Sequence, residues 1–145
     1  MPCLHVPALV TSLGDGKGSD GFLDAAKILQ LKMDADLVVL AACDTGSATN
    51  QAGETGLSSS GDAFDGFARD FIFAGARNFI VSQWEVRVEQ TDQLMQAMFD
   101  VKASTQADAL RQAQLSLMND PSYSHPYYWA GFTLVGDGAK AMPKP

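Results

Sequence analysis

Apolar residues recur at steps of three and four in four stretches of this chain, which is the spacing that puts them on one face of a helix. In the first stretch, Leu23, Ala26, Ile28, Leu29 and Leu31 predict a short helix from Phe22 to about Leu31, with Asp24 in the first turn where the helix dipole favours an acid. Phe64, Phe67, Ala68, Phe71 and Ile72 predict a second helix that ends at Gly75. Leu94, Met95, Met98 and Phe99 predict a third from Thr91 to about Val101, and Leu110, Ala113, Leu117 and Met118 a fourth from Ala107 to Met118, with Pro121 as its stop.

Between these helices lie short apolar runs with no polar alternation. Leu37-Val38-Val39-Leu40-Ala41-Ala42 is too short for a helix and reads as a strand buried on both faces, Phe79-Ile80-Val81-Ser82 as a second buried strand, and Trp129 to Val135 as the last strand candidate. Strands alternating with helices predict an α/β fold with a mostly parallel sheet covered on both faces. Gly14 to Gly21 is a glycine and aspartate cluster that reads as a surface loop, and Asp44 to Gly61 is a second loop rich in Ser, Thr, Asn and Gly. The organisation expected is an N-terminal strand remnant and Gly-rich loop over 1–21, a core over 22–136, and a flexible polar tail over 137–145.

Composition narrows the function. A chain of 145 residues with 46% hydrophobic and 19% charged residues suits one domain with a real core. Ten Lys and Arg against seventeen Asp and Glu, a net charge of −7, leave no basic field for gathering phosphates, so nucleic acid is not an expected partner. No apolar run approaches the roughly 20 residues of a membrane span, and the start Met1-Pro2-Cys3-Leu4 has no signal core, so the expected setting is cytoplasmic, away from membranes. Two cysteines make no disulfide framework, no Cys or His spacing suggests a metal, and Gly14-Asp15-Gly16-Lys17-Gly18-Ser19 lacks the spacing of a phosphate loop. No cofactor is expected.

Chemistry centres on Cys43. It follows an apolar strand directly, and in open parallel sheets ligands bind beyond the carboxyl ends of strands. A small apolar Cys finishing a buried strand is the plainer alternative. Leu40-Ala41-Ala42-Cys43-Asp44-Thr45-Gly46 resembles the strand-end nucleophile motif of the CHAT family of caspase-like, clan CD cysteine peptidases. Further segments match that family in order: Asp24 to Leu31, Asp34 to Leu40, Phe67 to Arg77, Val81 to Val86, Ala109 to Gln114, and His125 to Phe132.

The resemblance runs from about Gly21 to Gly136 and implies the C-terminal part of a three-layer α-β-α sandwich, truncated at its N-terminus. It implies Cys43 as the nucleophile on a protein or peptide substrate, with a histidine at the preceding strand end as its proton partner. Pro7 falls in that histidine's place and His5 lies two positions earlier, on the same face of an extended strand but about 7 Å farther along it. The expected catalytic pair is therefore Cys43 with His5, the residues expected to meet substrate are Asp44, Thr45 and Trp84, and no metal is expected. For Trp84, capping the core is the competing role, and His125 reads as structural. The family also implies tetratricopeptide repeats, upstream or in a separate chain, since this chain carries none. The alternative reading is a non-catalytic member that serves as a protein-interaction module.

Overall fold

A computed structural model of the chain describes residues 8–10, 20–40 and 69–142, and it is mixed α/β with two sheets among them. The smaller sheet pairs β1 (Ala8–Val10) with β2 (Phe22–Asp24) antiparallel, Leu9 opposite Leu23. Helix α1 (Ala25–Gln30) follows β2 without a gap. Asp24 is its N-cap, its carboxylate accepting the Lys27 N–H at 2.9 Å. That cap corrects the expected helix start. Residues before the cap lie outside the helix, and Phe22 and Leu23 find backbone partners on β1 instead. The Lys27 ammonium reaches back to the Asp20 carboxylate at 2.5 Å and to the Phe22 carbonyl at 2.8 Å, and its hydrogen bond holds the Asp20 carboxyl below the usual carboxylate range.

The larger sheet has the order β3 (Val38–Leu40), β4 (Asn78–Ser82), β5 (Phe132–Gly136). All five residues of β4 are buried, and its side chains alternate between two apolar clusters. Ile80 joins Leu94, Met98, Ala109, Leu110, Ala113, Leu117 and Phe132 on one face, where α2 (Val88–Asp100) and α3 (Gln106–Asn119) lie. Phe79 and Val81 join Ile28 of α1 with Phe71, Ala74 and Ala76 on the other. Residues 69–73 are helical, which matches the end of the second helix read from the sequence; Phe64, Phe67 and Ala68 lie outside the described residues. Strand β3 also touches both clusters, Val39 one and Val38 with Leu40 the other, yet its residues are half-buried rather than buried as expected.

The expectation of a mostly parallel sheet holds only in part. Strands β3 and β4 are parallel, Val39 opposite Ile80, but β5 runs antiparallel to β4, with Ser82 opposite Phe132 and Asn78 opposite Gly136. Among the described residues two helices lie between β4 and β5, so the chain crosses the sheet twice before β5 and enters it in the opposite direction. The start of α3 lies by Lys140 and its middle reaches Phe132, so α3 runs along β4 and hands the chain to β5 at the end where β4 stops.

Helix α2 starts at Val88, about a turn before the predicted Thr91. Helix α3 agrees with the sequence reading to within a residue at each end. Its N-cap Thr105 accepts the Asp108 N–H at 3.2 Å. The last strand begins at Phe132, not Trp129, since Pro126–Tyr128 forms a 3-10 turn ahead of it. After β5 the polar stretch read as a tail folds back on α3. The Gln106 N–H donates to the Lys140 carbonyl at 2.8 Å, the Ala107 N–H to the Gly138 carbonyl at 3.0 Å, and Met142 packs against the α2–α3 cluster.

One expected pH effect arises here. The Arg111 guanidinium, and after it the Gln112 amide, hydrogen-bond the Asp108 carboxylate in the first turn of α3 and hold it below the usual carboxylate range. A depressed carboxyl stabilises the fold above its ordinary value, and that contribution is lost as pH falls through the depressed one. Urea midpoints of the chain and of Asp108→Asn are expected to differ at neutral pH in favour of the chain and to converge in acid. A difference independent of pH would overturn this assignment.

Candidate functional site

The parallel register of β3 and β4 defines one end of the sheet. Leu40 stands opposite Val81. Trp84 comes three positions after Val81, at the end of the sheet where β3 and β4 both finish, and in the sequence Cys43 comes three positions after Leu40. Cys43, Asp44, Thr45 and His5 lie outside the described residues; of the residues expected at the site, Trp84 is the described one.

Trp84 is half-buried, and its packing accounts for the core-capping role weighed for it. Part of the side chain packs on the α2–α3 cluster, and the rest lies at the strand end. Its indole N–H donates to the Tyr127 carbonyl at 2.9 Å, and its ring stacks on that of Tyr127 with centroids 6.4 Å apart and planes 23° from parallel. The Tyr127 hydroxyl donates in turn to the Glu85 carbonyl at 2.6 Å. The Gln83 N–H donates to the Gly131 carbonyl at 2.8 Å, so the turn after β4 and the turn before β5 are laced together by reciprocal bonds.

Gly131 is required where it sits. A Cβ there would fall 2.8 Å from Cε2 of Trp84, so the indole lies directly against the Gly131 backbone. The indole N–H and the hydroxyl proton of Tyr127 are thus both donated within the protein. Tyr127 is 44% exposed. An arrangement of this kind takes up an aliphatic or aromatic side chain by burial, or a cation over a ring face.

His125 acts as read from the sequence. Its Nδ1 accepts the Tyr127 N–H at 3.2 Å and caps the 3-10 turn, so a neutral imidazole in this contact carries its proton on Nε2. Its ring meets Tyr128 edge-on at 6.5 Å, and Tyr128 meets Tyr127 and Tyr123 likewise at 5.7 and 5.9 Å. Sequence reasoning missed Tyr127 as the partner of Trp84. The signal available was Pro126, whose fixed φ favours a turn there and breaks the run of extended residues. Among the described residues no group of three His, Cys, Asp or Glu side chains is placed to hold a metal, and no helix is long and apolar enough to cross a membrane.

Comparison with known proteins gives a family. The model of the CHAT domain matches residues 3–137. Tetratricopeptide repeat protein 28 of Mus musculus is 30% identical over 123 residues, and Tetratricopeptide repeat protein 28 of Homo sapiens 31% identical over 123 residues. Each alignment covers 81% of this chain and 4% of the relative, so the chain spans a small part of the length of these proteins.

Proposed function

The chain belongs to the CHAT domain family, and on that premise we propose that it is a caspase-like cysteine endopeptidase module that hydrolyses peptide bonds. In this reading Cys43 is the nucleophile, His5 its proton partner, and Asp44, Thr45 and Trp84 meet the substrate. The parallel pairing of Leu40 with Val81 carries the proposal, because it sends the strand leading to Cys43 and the strand leading to Trp84 out of one end of the sheet. Apolar clusters on both faces of β4 support the three-layer α-β-α sandwich that such a module uses.

The chemistry needs both members of the pair. A free thiol titrates near 8.5 and is a few per cent thiolate at neutral pH, so an imidazole draws off its proton as sulfur attacks the peptide carbonyl. The resulting imidazolium returns that proton to the leaving amine, and water then hydrolyses the thioester. The two rings at Trp84 and Tyr127 would receive a substrate side chain beside the reacting carbonyl. A cytoplasmic setting, which keeps a thiol reduced, belongs to the same proposal. So does a tetratricopeptide-repeat region as partner, in the same chain or another, which the name of the relatives supports.

Pro7 favours a second reading. Proline has no side-chain proton to give or take, and it stands where the family places histidine, which suits a non-catalytic member that binds proteins without cleaving them. Capture by a peptide acyloxymethyl ketone separates the two. The Cys43 thiolate displaces the acyloxy group as a carboxylate and forms a stable thioether, read by intact mass. The expected result is labelling well above that of a plain exposed thiol, absent in Cys43→Ala and reduced in His5→Ala by the 10²–10⁴-fold typical of a lost general base. Labelling no faster than with free cysteine, and unchanged by His5→Ala, would sink the peptidase reading in favour of the interaction module.

A further inference from the structure

The turn that carries Gly131 is bonded from a second side, by a residue of α3. Gln114, half-buried in the middle of α3, donates from its amide nitrogen to the Trp129 carbonyl at 3.1 Å and to the Phe132 carbonyl at 3.0 Å. Those two carbonyls flank Gly131, whose own carbonyl accepts from Gln83. The Gly131 backbone is held between a helix and a strand, and the Trp84 indole rests on it with no room for a Cβ between them. A change in the tilt of this turn therefore moves the surface on which the indole lies, and with it the ring stacked against Tyr127.

We propose that Gln114 is a positioning residue that sets the orientation of the Trp84 ring, and through it the shape of the subsite that receives an apolar side chain of a peptide substrate. The substrate part rests on the peptidase reading above; the geometric part does not. An amide is suited to the task because one nitrogen supplies two N–H donors, enough to meet both carbonyls at once. A carboxylate of nearly the same shape supplies none and faces two carbonyl oxygens with its own.

The test uses the whole 145-residue chain labelled with 5-fluorotryptophan, the Trp84 signal being assigned by its loss in Trp84→Phe. In Gln114→Met, which keeps the length and removes the donor, the Trp84 fluorine resonance is expected to shift and broaden. Amide exchange of residues 129–132 is expected to quicken by about threefold to tenfold for each bond lost. In Gln114→Glu the resonance is expected to be displaced at neutral pH and to return toward its original position in acid, as the protonated carboxyl regains an O–H donor. That recovery is something a merely space-filling role would not produce, and it gives an answer even if Gln114→Met fails to fold. A Trp84 resonance unmoved in both variants, or one displaced in Gln114→Glu at every pH alike, overturns the proposal.

The substrate arm compares peptide acyloxymethyl ketones carrying Leu or Ala at successive positions. At the position that contacts the rings, the preference for Leu over Ala is expected to fall severalfold in Gln114→Met while the rate with Ala changes little. An unchanged preference overturns the subsite part. Absence of labelling in the parent chain instead overturns the peptidase reading and leaves the fluorine result to decide the role of Gln114.

Discussion

Replacing Phe79 by Ala is expected to cost about 3–5 kcal/mol of folding stability, the range for deleting a fully buried aromatic side chain. Phe79 is 1% exposed on the central strand of the sheet, its ring 5.3 Å from that of Phe71, and it belongs to the cluster formed by Ile28, Ala74, Ala76 and Val81. The backbone of β4 is held by β3 on one side and β5 on the other, so it has little freedom to close over the space left behind. Against a total stability of about 5–15 kcal/mol for a domain of this kind, such a loss brings the chain close to unfolding. Urea denaturation followed by far-UV circular dichroism measures it. Phe73→Ala is the matched control, because Phe73 is 73% exposed and its removal is expected to change stability by no more than about 0.5 kcal/mol. Equal losses at the two positions would mean that β4 is not the centre of the core.

The second large effect comes from adding atoms. Gly75→Ala is expected to destabilise the chain by about 3 kcal/mol, the sum of a strained backbone and a steric conflict that cannot be relieved by a side-chain rotation. Gly75 has φ of +108°, which L side chains rarely adopt, and it closes the helical residues 69–73. An added Cβ would lie 2.0 Å from the Met33 carbonyl oxygen and 3.0 Å from its carbon, both backbone atoms. To make room, the Met33 segment has to move away. It is tied to this turn by the Met33 N–H to the Ala74 carbonyl at 2.8 Å and, two residues on, by the Arg77 N–H to the Ala35 carbonyl at 2.9 Å. Those bonds and the parallel bridge of Ala35 with Ala76 lead into the pairing of β3 with β4, so the damage is expected to spread toward the strand that ends before Cys43. Hydrogen exchange locates it: the Met33 and Arg77 amides should lose protection before those of α3. A variant as stable as the parent would contradict this close approach.

How much of this was legible in the sequence depended on whether a residue's signal was local. Helix α3 could be read almost to the residue because Leu110, Ala113 and Leu117 keep helical spacing, all three are buried, and Pro121 marks the stop. Strand β4 was visible because an apolar run between two helical patterns has few other uses. The direction of β5 was not visible, because it follows from the number of helices that intervene and the path they take, which no single residue reports. Strand β2 was hidden by its own composition. Leu23 fits a helical pattern as well as a strand, and only the cap at Asp24 and the partner β1 decide between them. At the candidate site, the motif around Cys43 and the strand end at Trp84 stood out by position. The partners of Trp84 did not, since Tyr127 and Gly131 lie far along the chain and meet it through backbone carbonyls, which carry no residue-specific mark.

The segment after β5 bears on the order in which the molecule is made. The first two amides of α3 are met by carbonyls of Gly138 and Lys140, and the Gln106 side chain by that of Ala141, all of which leave the ribosome after the last strand. While translation proceeds at about 5–20 residues per second, α3 emerges with these donors facing water and with β5 still unmade. The sheet and the α2–α3 pair are therefore completed from the C-terminal side in one late event. A protein that carries this domain would have to spin out the stretch through residue 142 before the domain is fit for use, a built-in delay between synthesis and competence.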